Sequence, residues 1–411
     1  MIHRCRLGVL ASLVLILAAG HVYGEGSASQ RDIIPLSRRI LTDLIPSSAQ
    51  DPTPPKKKSS SKKTSGTKKA KPKRKANPIK VSGNFFLKFL YTGNAYNYSE
   101  EYISEFRHSM NPHKFAMNTV DDLVVEPRID VDFEKKFIKY GPTTLGVSYI
   151  RSQYTSNHNK SKDSFRIDIR QPVWGSDWMS FGYSLTPYSY IRKMSDRPPY
   201  VPRSTPIDYF AFQYTNNTFA FEYAHRFSYP YRLNIRAGRV IRYYNQPQME
   251  NDNWEWYIGG KFYWYASKSW RFSAEYRYSD APARAADSIG ETLETSDDSD
   301  PSFERDAYYI DFRYAPRGKL WIAKYLTLSL ALKDYYFTSD RVLYRDGYHV
   351  GRLDEIDTYS FTVDTEEIYG PITLELGFFY DERRTTSPWE GVAADKDYID
   401  RSFWLGMSYP F

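Results

Sequence analysis

The last eleven residues, Arg401-Ser402-Phe403-Trp404-Leu405-Gly406-Met407-Ser408-Tyr409-Pro410-Phe411, settle the architecture. Phe403, Leu405, Met407, Tyr409 and Phe411 share one parity, while Trp404, Gly406, Ser408 and Pro410 share the other. Successive side chains of a strand point to opposite faces, so this alternation predicts a strand with one apolar face. The period recurs upstream. Leu326, Leu328, Leu330 and Leu332 alternate with Thr327, Ser329, Ala331 and Lys333, and Ile372, Leu374, Leu376 and Phe378 with Thr373, Glu375, Gly377 and Phe379. Trp254, Trp256, Ile258, Gly260, Phe262 and Trp264 take one face against Glu255 and Lys261 on the other.

A two-sheet soluble sandwich also alternates, but it must bury its apolar faces and keep its edges from pairing. The runs here extend to about a dozen residues, beyond the ~5–6 of ordinary soluble strands and close to the ~9–11 tilted residues that cross a bilayer. Composition agrees. Aromatic residues make up 17% of the chain, with 37 Tyr, and mean hydropathy is −0.62. Tyr and Trp suit a boundary where one end of the ring is dry and the other wet, and a membrane barrel has two such belts.

The net charge of +7 is a local effect. Residues 51–80 (DPTPPKKKSSSKKTSGTKKAKPKRKANPIK) hold twelve Lys/Arg and one Asp, and the body after them is mildly acidic. The high pI is therefore no argument for nucleic-acid binding, and none is expected. The segment lacks aromatic residues, cannot bury enough surface to fold, and is expected to be a disordered basic tail. Cell-wall carboxylates are a candidate partner for it. Ahead of it, residues 1–24 read as a secretory signal, with Arg4 and Arg6, an apolar run from Val9 to Ala19, and a small-residue cleavage site at Val22-Tyr23-Gly24. The domain plan is thus a signal at 1–24, a periplasmic tail at 25–80 and a barrel at 81–411. The only cysteine, Cys5, falls within the signal.

A terminal strand of this pattern ending on an aromatic residue resembles the recognition signal of bacterial outer-membrane β-barrels. The resemblance covers this strand and the general porin-like architecture, and implies that Phe403, Leu405, Met407, Tyr409 and Phe411 are read by the barrel assembly machinery. It also implies an outer-membrane location, with membrane lipid against the apolar faces.

A first count gives fifteen strands, an odd number for a single-chain bacterial barrel. Placing both chain ends and the short turns on the periplasmic side leaves one conflict, around Thr215-Asn216-Asn217-Thr218. Tyr209, Ala211, Phe219, Phe221, Tyr223 and Phe227 share parity, so 207–228 is read as one long strand. The fold class is all-β: a transmembrane antiparallel barrel of fourteen strands, with sixteen as the alternative. Arg239 falls on the lipid-facing parity of Leu233, Ile235 and Ile241, which requires a headgroup position or a bulge.

The inward parity collects Lys88, Arg128, Asp130, Asp132, Arg166, Asp168, Arg170, Glu222, Arg236, Glu255, Lys261, Arg271, Glu275, Arg277, Asp311, Arg313, Lys333, Asp364 and Glu375. Both signs interleave, and such groups must pair or stay hydrated. They predict either a polar passage for small polar or charged solutes or a salt-bridge web that fills the barrel. Loop 93–120, with Tyr96, Tyr98, Tyr102, Phe106 and Phe115, is aromatic enough to fold inward as a constriction or to rest on the rim. Loop 280–304 carries Asp287, Glu291, Glu294, Asp297, Asp298 and Asp300 without the glycine-turned spacing of a calcium loop, so no metal site is expected. No zincin, nucleophile-elbow, phosphate-loop or paired-cysteine motif occurs, so no cofactor is expected, and a loop-based outer-membrane hydrolase stands only as a third reading behind a channel and a structural barrel. His225 lies near Ser228 but with opposite parity, and His108, His113, His158 and His349 fall in loops.

Overall fold

A computed structural model describes residues 78–195, 208–288, 290–291, 295–296, 298–316 and 322–411. The export signal and the basic tail up to residue 77 lie outside the described residues. Among those described, fourteen antiparallel strands close into one barrel. They are β1 (Lys80–Thr92), β2 (Asp122–Ile138), β3 (Gly141–Tyr154), β4 (Lys162–Trp174), β5 (Asp177–Ser195), β6 (Tyr209–Ser228) and β7 (Tyr231–Tyr244), followed by β8 (Asn253–Trp264), β9 (Trp270–Ala281), β10 (Phe303–Tyr314), β11 (Ala323–Phe337), β12 (Leu353–Thr365), β13 (Thr373–Thr386) and β14 (Tyr398–Pro410). Each pairs with its chain neighbours, and β14 returns to β1. Closure removes the open edges that an isolated sheet would leave to pair with other chains.

The closing seam is made by the C-terminal strand. Phe403, Leu405, Met407 and Tyr409 sit opposite Tyr91, Phe89, Leu87 and Phe85. The Phe411 amide donates to the Gly83 carbonyl at 2.9 Å, and the Gly83 amide donates back to the Phe411 carbonyl at 2.8 Å. The Phe411 ring covers Gly83 so closely that a Cβ there would lie 2.3 Å from it, so a larger residue would displace the ring.

β6 runs unbroken from Tyr209 to Ser228, with Asn216, Asn217 and Thr218 in the ladder against both β5 and β7. It is one strand, and the fourteen-strand count stands. β5 and β6 outlast the membrane and carry the sheet into the loops. Long connections lie at one end (93–121, 155–161, 245–252, 282–302, 338–352 and 387–397), and tight turns such as 139–140, 175–176 and 229–230 lie at the other.

Burial follows the period of two. Phe165, Ile167 and Ile169 are about half exposed, while Arg166 and Asp168 between them are buried. An exposed apolar belt around a charged interior is the reverse of a soluble protein and is what a hydrocarbon surround requires. Arg239 lies on the exposed face in unbroken register, opposite Phe219 and Trp256. No bulge reorients it. Trp256 donates its indole N–H to Asp280 at 2.8 Å, at the loop end of β9, so Arg239 stands at the height of a polar belt.

Candidate functional site: the charged lumen and its vestibule

The inward side chains form ladders of ion pairs across neighbouring strands. On the wall from β6 to β10, Arg236 bridges Glu222 and Glu275 at 2.7 Å each, and Arg277 reaches the other Glu275 oxygen at 2.7 Å. Lys261 lies 3.6 Å from Glu275 and 3.1 Å from Asp311, which also accepts from Ser273. Glu275 thus takes three cations on two oxygens, and all are buried. Charge-assisted contacts this dense compensate for lost hydration, whereas an isolated charge there would be very costly.

The other inward residues take smaller arrangements. Lys88 pairs with Glu126 at 3.0 Å, Arg128 with Asp130 at 2.8 Å, and Arg166 with Asp168 at 3.1 Å. Arg313 lies 3.9 Å from Asp364, with its guanidinium 3.6 Å from the Tyr325 ring centre, and Arg170 lies over the Trp178 ring. Glu375 accepts the Trp404 indole N–H at 2.7 Å, and Trp404 lies over Gly377, where a Cβ would meet the ring at 2.0 Å. Arg271 and Lys333 are buried, and Asp132 is half-buried.

Toward the long loops the strands carry a second tier, of which the sequence expectation held Glu255 alone. Glu255 pairs with Arg242 at 2.7 Å and with Arg305, whose guanidinium also meets Ser279 and the Tyr335 hydroxyl. Asp354 holds Arg352 at 2.9 Å as well as Arg383. Asp354 and Arg383 escaped the sequence reading because their strands run further than expected, while Arg305 lies within the expected strand on the parity of Asp311 and Arg313 and was passed over. β10 starts at Phe303, β12 at Leu353, and β13 extends to Thr386. Glu126 and Arg242 share parity with Arg128 and Arg236, and alternation alone was signal enough to find them.

Loop 93–121 folds inward. Its helix α1 (Glu100–Arg107) is capped by Ser99, whose side chain accepts from the Tyr102 amide at 3.3 Å. Ile103, Tyr96, Tyr98, Phe115 and Met117 pack into one buried cluster with Leu90, Val124, Phe379 and Trp404, which are inward side chains of β1, β2, β13 and β14. Tyr96 stacks on Tyr98 and meets Tyr190 of β5 edge-on, and its hydroxyl donates to Asn159 at 2.7 Å. Burial pushes the Tyr98 and Tyr102 hydroxyls up to about 12. The loop is a fixed constriction and does not rest on the rim.

Beside this constriction lies a cavity of about 350 Å3, reaching from Tyr96, Lys160 and Lys396 among the loops down to Arg277, Tyr309 and Lys333 between the strands. Nine Lys/Arg side chains line it against two carboxylates, Glu250 and Asp354, with Tyr and Phe rings between them. His349 also faces it. Its Nδ1 lies 2.7 Å from Asp346, whose other oxygen accepts from Ser339, and burial holds the imidazole below its usual range despite that carboxylate. His225 instead lies at the short-turn end, 2.7 Å from Asp177.

Of the acidic loop, Asp287, Glu291 and Asp298 bring carboxylate oxygens within 4.8 Å of one another. Asp300 turns away to accept from Ser302 and from the Asp340 amide. Glu294 and Asp297 lie outside the described residues.

No protein-family model and no curated protein matches the chain. Solved structures with a related fold include OmpTdeltaL8, a loop L8 deletion mutant of OmpT, an outer membrane protein of Vibrio cholerae. It is 8% identical, covers 82% of this chain and 100% of its own, and has a TM-score of 0.42. The outer membrane channel DcaP of Acinetobacter baumannii is 11% identical over 81% of this chain and 97% of its own, with a TM-score of 0.43. An anion-selective porin from Comamonas acidovorans is 8% identical over 82% and 100%, with a TM-score of 0.38. The likeness assigns no role to any residue of this chain.

Proposed function

We propose that this protein is an outer-membrane channel for small polar or charged solutes. The observation that carries the reading is a closed barrel whose apolar face is turned outward while a cavity of about 350 Å3, walled by charged side chains, opens beneath the long loops. A barrel of fourteen strands encloses more room than the eight-stranded kind whose side chains fill it. Polar walls of both signs let a hydrated ion exchange water for side-chain contacts without leaving a polar environment. Proteoliposome swelling with solutes of graded size tests this. Uptake of small sugars and amino acids with a sharp size cut-off is expected, and swelling no faster than in empty liposomes would count against it.

The density of pairing around Glu275 favours a second reading, a barrel whose interior is a structural salt-bridge web. In that reading the protein presents loops outside and is tethered to the cell wall by the +11 tail of residues 51–80. Retention of the isolated tail on cell-wall sacculi at moderate salt supports the tether, and free elution opposes it.

A further inference from the structure

The nine cations of the vestibule do not balance. Glu255 holds Arg242 and Arg305, Glu275 holds Arg277, and Asp354 holds Arg352 and Arg383, while Lys333 lies deep between the strands, 5.9 Å from the Tyr309 ring centre. Lys160, Arg192 and Lys396 make no ion pair with any described residue. Their contacts are with rings: Lys160 lies 4.8 Å from the Tyr96 centroid, Arg192 lies 5.2 Å from Tyr98 and 5.7 Å from Tyr102, and Lys396 lies 5.0 Å from Tyr348. Lys160 is nine-tenths buried, and the Arg192 Nη1 is buried without a hydrogen-bond acceptor.

We propose that Lys160, Arg192 and Lys396 form an anion-recognition site at the loop end of the lumen for solutes bearing phosphate or carboxylate groups. Like charges gathered away from water repel, and such an arrangement is relieved by an anion. Burial first, and then the neighbouring cations Lys162, Arg192, Arg352 and Arg383, hold both lysines below their usual range, and an anion between them would offset both effects. The three cations come from separate elements: the 155–161 loop, β5, and the short helix α2 (Val392–Lys396). The inward-folded loop 93–121 supplies the rings behind two of them, so its packing sets their positions. Pairing of every other vestibule guanidinium limits competition for the anion from the walls. Binding at this site is independent of the channel reading, whereas its effect on current rests on that reading.

The test uses inorganic phosphate on the full barrel. In planar bilayers under a KCl gradient, the reversal potential should show chloride preferred over potassium, and phosphate on the loop side should reduce the chloride current. The combined variant Lys160→Gln, Arg192→Gln, Lys396→Gln should weaken phosphate block about tenfold. The outward Arg239→Gln should leave it unchanged. Calorimetric titration of the detergent-solubilised barrel with phosphate supplies a readout that needs no conduction. Saturable binding lost in the triple variant supports the site even where no current flows, and that outcome would count against the channel alone. Potassium preference, or phosphate block and binding equal in wild type and triple variant, overturns the site and leaves the channel standing.

Discussion

The wall from β6 to β10 and the vestibule above it are built from the same residue types and balance them differently. In the wall, Glu275 meets Arg236, Arg277 and Lys261, and the last of these also meets Asp311. In the vestibule, among the described residues, Lys160, Arg192 and Lys396 meet aromatic rings and no carboxylate partner. The wall commits its charges to the fold, and the vestibule keeps some for a solute. A charged interior therefore carries two separable quantities, the pairing that holds strands together and the surplus that meets what enters.

The strongest effect should come from the wall. Glu275→Gln leaves three buried cations around a neutral amide, and chemical unfolding in micelles should show a loss of about 3–5 kcal/mol. A change under about 1 kcal/mol would mean that the wall is hydrated and contributes little. Next in size, Gly377→Ala puts a methyl group into the Trp404 ring, which cannot move without giving up its hydrogen bond to Glu375. A loss of about 1–3 kcal/mol is expected by the same assay. Wild-type stability there would place Trp404 elsewhere. Arg192→Gln should be the opposite case: within about 0.5 kcal/mol of wild type, or more stable, because it removes repulsion and breaks no ion pair among the described residues. A loss comparable to that of Glu275→Gln would erase the distinction between the two regions.

The mildest effect is in pH. The Lys160 amine, pushed down to about 7 by burial and by Lys162 and Arg192, is charged below that value and neutral above it. The positive field of the vestibule therefore falls as pH rises from about 6 to about 8, and anion preference should fall by up to about twofold. The Tyr96 hydroxyl beside it is raised by burial and stays neutral throughout. His349 faces the same cavity, but its lowered value moves its own titration toward the acid end of the window. Lys396 in the same site is also lowered, so the check is the difference: reversal potentials across this range should slope less in Lys160→Gln than in wild type. A slope unchanged in the variant would move it to another group.

Much of the fold was legible because a membrane barrel writes its period directly. Lipid on one side and polar lumen on the other fix every side chain by parity, so the merging of 207–228 into β6 followed from Tyr209 and Phe227 sharing a face. Strand ends were less legible. Beyond the bilayer both faces are wet, the alternation stops, and the start of β12 and the extension of β13, with Asp354 and Arg383, went unread. Partners were not legible at all. Alternation places Glu275 and Lys261 on one side of the sheet, but which cation meets which carboxylate depends on register and on side-chain reach between walls. The vestibule site was the least visible, since Lys160 and Lys396 sit in connections between strands, and the rings beside Lys160 and Arg192 arrive only when loop 93–121 folds inward.

Whether the charged lumen is a water-filled passage is decided by single-channel recording in planar bilayers. A passage gives discrete conductance steps that grow with KCl concentration and persist when residues 25–77 are deleted, and that is the expected result. A purified, correctly folded barrel that inserts and shows no steps at any voltage, with or without that segment, would contradict it.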